Sequence, residues 1–201
     1  MSISTLYTSV INDHISVLER MRTSDSLVYD LSILGEMMLS AFRKGNKLLL
    51  CGNGGSASDA QHIAAELVGR FYLDRPGINA ETLTVNTSSL TSITNDYSFN
   101  KVFSRQVEAK GRKGDVLLGL TTSGTSKNII AAFETARKIG MRNICFTGEN
   151  APASLDDLCE VVLRVPSACT PRIQEIHIII GHIICEYVEK MLFDNAEETN
   201  E

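Results

Sequence analysis

The run Leu48-Leu49-Leu50-Cys51-Gly52-Asn53-Gly54-Gly55-Ser56-Ala57-Ser58 reads as a buried strand that ends in a glycine-rich turn and opens a helix. Glycines let the backbone come close to an anion and take up positive φ, while the first unpaired N–H groups of the helix add positive potential. Such a turn is a cradle for phosphate. The device recurs: Val116-Leu117-Leu118-Gly119-Leu120 leads into Thr121-Thr122-Ser123-Gly124-Thr125-Ser126, and helical spacing begins at Asn128. An ordinary βα connection with a Ser cap would produce either turn alone, but the two together predict one phosphorylated ligand at the carboxyl ends of a parallel sheet. No Gly-Lys-Ser/Thr completes a P-loop and no dinucleotide fingerprint is present, so a phosphosugar is favoured over a nucleotide.

Outward from these turns, strands are expected near 47–51, 80–85, 115–120, 142–147 and 161–165, with helical stretches near 56–70, 88–94, 99–110, 126–139 and 153–158 between them. That alternation predicts an α/β fold around a parallel five-stranded sheet. Two helices, over 3–22 and 26–44, come first; the second carries Leu27, Leu31, Leu34, Met37, Met38 and Phe42 before Gly45-Asn46 ends the pattern. A final helix from Pro171 to Phe193 is apolar nearly all round, through Ile176, Ile180, Ile184, Val188 and Leu192. One sheet covers one face of such a helix, so the surplus and the two leading helices predict a helical interface in a homo-oligomer. A helix buried centrally within one chain is the alternative. The expected division is an N-terminal helical segment at 1–45, the α/β domain at 46–194 and a polar tail at 195–201, expected to fray.

The 201 residues, 43% of them hydrophobic, suffice for one well-buried core. Nineteen basic and 24 acidic residues leave a formal charge of −5, with no Lys/Arg cluster to track a nucleic-acid backbone. Neither a basic-then-apolar leader nor a run of membrane-spanning length appears, so a cytoplasmic protein without a membrane partner is expected. The five cysteines show no Cys-x-x-Cys spacing and read as reduced thiols.

His62 and Glu66 stand at i and i+4 on the helix that opens from the first turn, which is the spacing of two ligands to one metal atom. A surface His–Glu pair has the same spacing. The final helix adds Gln174, His177 and His182. The two histidines there lie five apart, about 140° around a helix, so only one can face such a site and the other is structural. His14 has no supporting motif and reads as a surface residue.

Three stretches, CGNGGSASDAQHIAAEL (51–67), SITNDYSFNKVFSRQVEAKGRKGDVLLGLTTSGTSKNII (92–130) and TPRIQEIHIIIGHIICEYVEK (170–190), resemble the sugar-isomerase (SIS) domain, and within it the sedoheptulose-7-phosphate isomerases, or phosphoheptose isomerases. The resemblance spans about Gly45 to Phe193. It implies a homotetrameric enzyme with one zinc ion (Zn2+) per subunit. The implied reaction converts sedoheptulose 7-phosphate to glycero-manno-heptose 7-phosphate, the entry to nucleotide-activated heptose for a bacterial surface polysaccharide such as lipopolysaccharide or capsule. The metal ligands it implies are His62, Glu66, Gln174 and His182, with Glu66 and His182 as the proton-transfer candidates. The substrate contacts it implies are Asn53, Gly54, Gly55, Ser56, Glu66, Asn95, Asp96, Thr121, Thr122, Ser123, Ser126 and Gln174. Thr121 replaces a serine common in the family, Thr125 a frequent Asn, and Pro171 an acid found in some members.

Gln174 and His182 are eight residues apart, about 12 Å along a helix, which is far for two ligands of one ion. Either their long side chains converge or different subunits supply them, and the surplus apolar face of the last helix favours a site at a subunit interface. Two rival functions share the fold: a non-catalytic SIS-domain adaptor that binds a replication-initiation protein, and an isomerase of another sugar phosphate. Adaptors of that kind lack the Glu of HxxxE and the last His, so Glu66 and His182 favour the enzyme.

Overall fold

A computed structural model describes residues 1–194; the polar tail at 195–201 lies outside the described residues. Helices α1 (Ile3–Arg22) and α2 (Asp25–Arg43) lead, and their N-cap residues Ser2 and Ser24 accept from the backbone N–H groups of Thr5 and Leu27. Five strands follow: β1 (Leu48–Gly52), β2 (Ala80–Thr82), β3 (Val116–Leu120), β4 (Arg142–Gly148) and β5 (Val161–Val165). All pair in parallel, in the order β2-β1-β3-β4-β5. Between them run α3 (Gly55–Val68), α4 (Thr87–Asp96), α5 (Ser104–Lys110) and α6 (Lys127–Ile139), and α7 (Thr170–Phe193) closes the chain.

Two expected helical stretches are cut short. Residues 99–110 divide into a 3-10 turn (Phe99–Lys101) and α5, and 153–158 keeps one 3-10 turn, Ala153–Leu155, entered through the extended Pro152. Eight residues separate Pro152 from β5, and the Leu155 carbonyl accepts from both Leu158 and Cys159 N–H as the chain turns toward that strand.

The strands are buried on both faces, and side-chain alternation sorts them into two cores. Leu48, Leu50, Val116, Leu118, Leu120, Ile144, Phe146 and Leu163 pack with α2, α3 and α7, while Leu49, Cys51, Leu117, Cys145 and Val162 pack with α5 and α6 around Phe133. A single α/β domain results, with helices on both sides of the sheet. Most of α7 is covered within the chain: Ile173, Ile176, Ile180, Ile184 and Val188 are buried, whereas Ile183 is 46% exposed. The apolar surplus expected on α7 is thus smaller than its sequence indicates, because α2 and α3 cover it as well as the sheet.

Strand order matters most for function. From β1 the chain steps to β2 at the sheet edge and then crosses back to β3, so the connections after β1 and β3 leave adjacent strands in opposite directions. That is a topological switch point, the place where open parallel sheets bind ligands.

Candidate active site

The two glycine- and hydroxyl-rich turns meet at this switch point. Asn53, directly after β1 in the first, and Asn128, in the first turn of α6, exchange side-chain hydrogen bonds of 3.0 and 2.9 Å. Gly54, with φ +57°, turns the chain into α3 through a conformation that a side chain would strain. Among the described residues neither α3 nor α6 has a side-chain cap at its N-terminus. Two helix N-termini side by side, neither closed by its N-cap side chain, can hold an anion. Ser123 and Thr125 hydroxyls lie 2.9 Å apart on the exposed rim, and Thr121 and Ser126 hydroxyls 3.1 Å apart below them. Ser56 and Thr121 are buried, Thr122 half-buried. The Gln174 amide rests against Gly55, where a Cβ would fall 2.7 Å from its nitrogen and oxygen.

Asn95 and Asp96 stand elsewhere. They sit exposed at the end of α4 and bond each other at 2.9 Å, and among the described residues no hydrogen bond ties them to either turn.

Two turns along α3 from Gly55, about 10 Å, a second centre forms. His62 Nε2 lies 3.1 Å from Glu66 Oε1 and 3.2 Å from His182 Nε2, and the three donor atoms fall within 4.8 Å of one another. Gly181 makes this possible: a Cβ there would sit 2.6 Å from Ile63 Cγ1, so its absence lets α7 close onto α3 and sets His182 beside His62. Two imidazoles and a carboxylate are a donor set suited to zinc, and the 3.1 and 3.2 Å spacings from His62 match the roughly 3.3 Å ligand edge of a tetrahedral site with bonds of about 2.0 Å. The side chain of His62 is 48% exposed, which leaves the centre open to a ligand.

One chain therefore brings His62, Glu66 and His182 together without a second subunit, while Gln174 sits at the level of the cradle. Asp59, one turn before His62, has a buried carboxylate oxygen with no partner among the described residues, and burial pushes its carboxyl up to about 6 against the pull of His62.

His177 is buried in the core, its Nε2 3.5 Å from the Thr147 carbonyl, which makes it the structural one of the pair on α7. His14 corrects the sequence reading. Half-buried, it pairs with Glu175 at 3.0 Å across α1 and α7, a contact that no local motif announces. The sequence reading also misses Asn128, for which its place at the start of α6 was the only signal.

Comparison with known proteins agrees with this architecture. The SIS domain family profile matches residues 11–148. Phosphoheptose isomerase of Clostridium acetobutylicum is 50% identical over 183 residues, covering 91% of this chain and 93% of that protein. Phosphoheptose isomerase 2 of Campylobacter jejuni is 50% identical over 181 residues, 90% of each chain. The solved phosphoheptose isomerase of Neisseria gonorrhoeae superposes with a TM-score of 0.87 at 38% identity, covering 94% of this chain and all of that one. The chain belongs to the SIS-domain family of α/β proteins, and within it to the phosphoheptose isomerases, enzymes that isomerise a sugar phosphate.

Proposed function

We propose that the protein converts D-sedoheptulose 7-phosphate to D-glycero-D-manno-heptose 7-phosphate, the first step toward nucleotide-activated heptose. The observation that carries this reading is the convergence of His62, Glu66 and His182 along a helix whose N-terminus opens from the phosphate cradle. A phosphate held by the N-termini of α3 and α6 and by the hydroxyls of Thr121, Thr122, Ser123 and Ser126 anchors one end of the substrate. Its other end extends along α3 toward the triad, with Asn53, Ser56 and Gln174 beside the path. Asn95 and Asp96 serve as substrate contacts in the assembled protein.

Ketose–aldose exchange moves a proton between C1 and C2 through an enediolate, so it requires a base at carbon and positive charge at oxygen. His62, Glu66 and His182 would hold one zinc ion per subunit, with Gln174 from a neighbouring subunit as the fourth ligand, and zinc when bound would polarise the carbonyl. Glu66 takes the proton from one carbon, and His182 stands beside it to return or relay it. Both side chains lie at the same level of α3 and α7, within reach of adjacent substrate atoms.

The apolar residues exposed on α1 (Ile3, Leu6, Tyr7, Ile11), on α2 (Val28, Tyr29) and at Ile183 support a homotetramer built on helical contacts. Among the described residues no helix is long and apolar enough to cross a membrane. The proposed setting is the cytoplasm.

Incubating the purified protein with sedoheptulose 7-phosphate, with and without a chelator, tests the reading. Aldose formation that falls on chelation is expected. Absence of turnover in metal-replete protein overturns it and favours another sugar phosphate or the adaptor role.

A further inference from the structure

Glu189 lies two turns beyond His182 on the same stripe of α7, displaced by about 20°. Its side chain is 1% exposed and its partner Arg75 is 2% exposed. Glu189 Oε1 accepts from Arg75 Nε at 3.0 Å, and Oε2 accepts the backbone N–H groups of Tyr72 and Leu73 at 2.8 and 3.1 Å. Arg75 turns its remaining nitrogens to the end of α3, where Nη2 donates to the carbonyl of Glu66 at 2.9 Å and Nη1 to that of Leu67 at 2.6 Å. The last carbonyls of a helix have no intrahelical donor, and a guanidinium there both satisfies them and complements the negative end of the dipole. The loop so gripped also carries Phe71, whose ring lies 5.9 Å from that of His182. Burial pushes the Glu189 carboxyl up, but the two N–H groups and Arg75 outweigh it and hold it below the usual carboxylate range.

Stability alone does not require this pair, since well-packed apolar residues of the same volume serve a core as well or better. An apolar pair cannot bridge α7 to the carbonyl of Glu66. We propose that Arg75 and Glu189 are positioning residues, a buried clasp that fixes the end of α3 bearing Glu66 and the loop bearing Phe71 relative to His182. The clasp rests on the reading of the triad as a metal centre and extends it to residues that touch neither metal nor substrate.

Cobalt(II) titration of chelator-stripped full-length protein, followed by its visible absorption, tests the clasp. Arg75→Lys retains the buried charge balance, but one ammonium cannot reach the carboxylate and both carbonyls together. Its cobalt affinity is expected to fall about 10- to 100-fold, as is usual for residues supporting metal ligands, and that of Glu189→Gln similarly. Phe133→Leu, in the core on the opposite face of the sheet, controls for lost stability and keeps the wild-type affinity. In the metal-free protein the imidazole NMR resonances of His62 and His182 should move in both clasp variants and stay fixed in Phe133→Leu. Wild-type affinity with unmoved resonances in Arg75→Lys and Glu189→Gln overturns the clasp. Failure of the wild-type protein to take up cobalt overturns the metal reading instead, and the imidazole resonances then decide the clasp by themselves.

Discussion

In the proposed reaction Glu66 carries two demands, because the carboxylate that would help to hold a cation is also the group best placed to take a proton. Glu66→Gln keeps the shape and one acceptor oxygen but loses the basicity, so turnover should drop by ~10² to 10⁴ with the fold retained, as kcat and circular dichroism will report. Near-normal turnover would move the base to His182. His177 makes its prediction through pH. Burial lowers its folded-state value to about 4 from 6.5, so the unfolded chain binds the extra proton between those limits and stability is lost as pH falls from about 6.5 to 4. The loss is on the order of 3 kcal/mol. Asp59 acts with the opposite sign between 3.8 and about 6, being raised, so the test is the difference between denaturation curves of wild type and His177→Leu across that range. A difference that does not change with pH refutes the assignment. At this scale the sequence was legible where chemistry is local: the HxxxE spacing of His62 and Glu66 is a property of one helix. The contacts of His14 with Glu175 and of Arg75 with Glu189 join residues more than a hundred positions apart, and no local pattern encodes them.

Among elements, the decisive contact is α3 against α7, where Gly181 meets the buried Ile63. Gly181→Ala gains about 1 kcal/mol of helix propensity, yet overpacking costs typically 1–3 kcal/mol, so in the wild-type background the change should destabilise and weaken metal binding. In an Ile63→Ala background the clash disappears and the propensity gain remains. There the same substitution should stabilise, and chemical denaturation of the four proteins gives both signs. An equal effect in the two backgrounds would show that Gly181 is not where the helices are held apart or together. The strands and helices themselves were readable, since uninterrupted apolar runs ending in glycine turns mark buried parallel strands and 3.6-residue spacing marks the helices. What spacing alone could not supply was the pairing of α3 with α7 along their lengths. Eight residues between Gln174 and His182 looked too long for one site, and in the fold the two side chains address different levels of α3, Gly55 for one and His62 for the other.

For the whole molecule, that geometry changes what subunit exchange should show. Were His62 and His182 supplied by different chains, mixing His62→Ala with His182→Ala would rebuild some sites with both imidazoles intact, and activity would partly return. The two rings instead face each other within one chain, with Nε2 atoms 3.2 Å apart, so every site in a mixed oligomer keeps one defect whatever the number of subunits. The expected result is therefore persistent inactivity and sub-stoichiometric zinc, with exchange verified by native mass spectrometry. Gln174 provides the contrast, because it lies against the cradle rather than the triad in its own chain. Mixing Gln174→Ala with His182→Ala asks whether a neighbouring subunit completes the metal set. Recovery in this second mixture with none in the first would place the triad within one chain and its fourth ligand in another. Recovery in the first mixture would contradict the arrangement of α3 and α7 described here, because no rearrangement confined to the interface could then account for a shared imidazole pair.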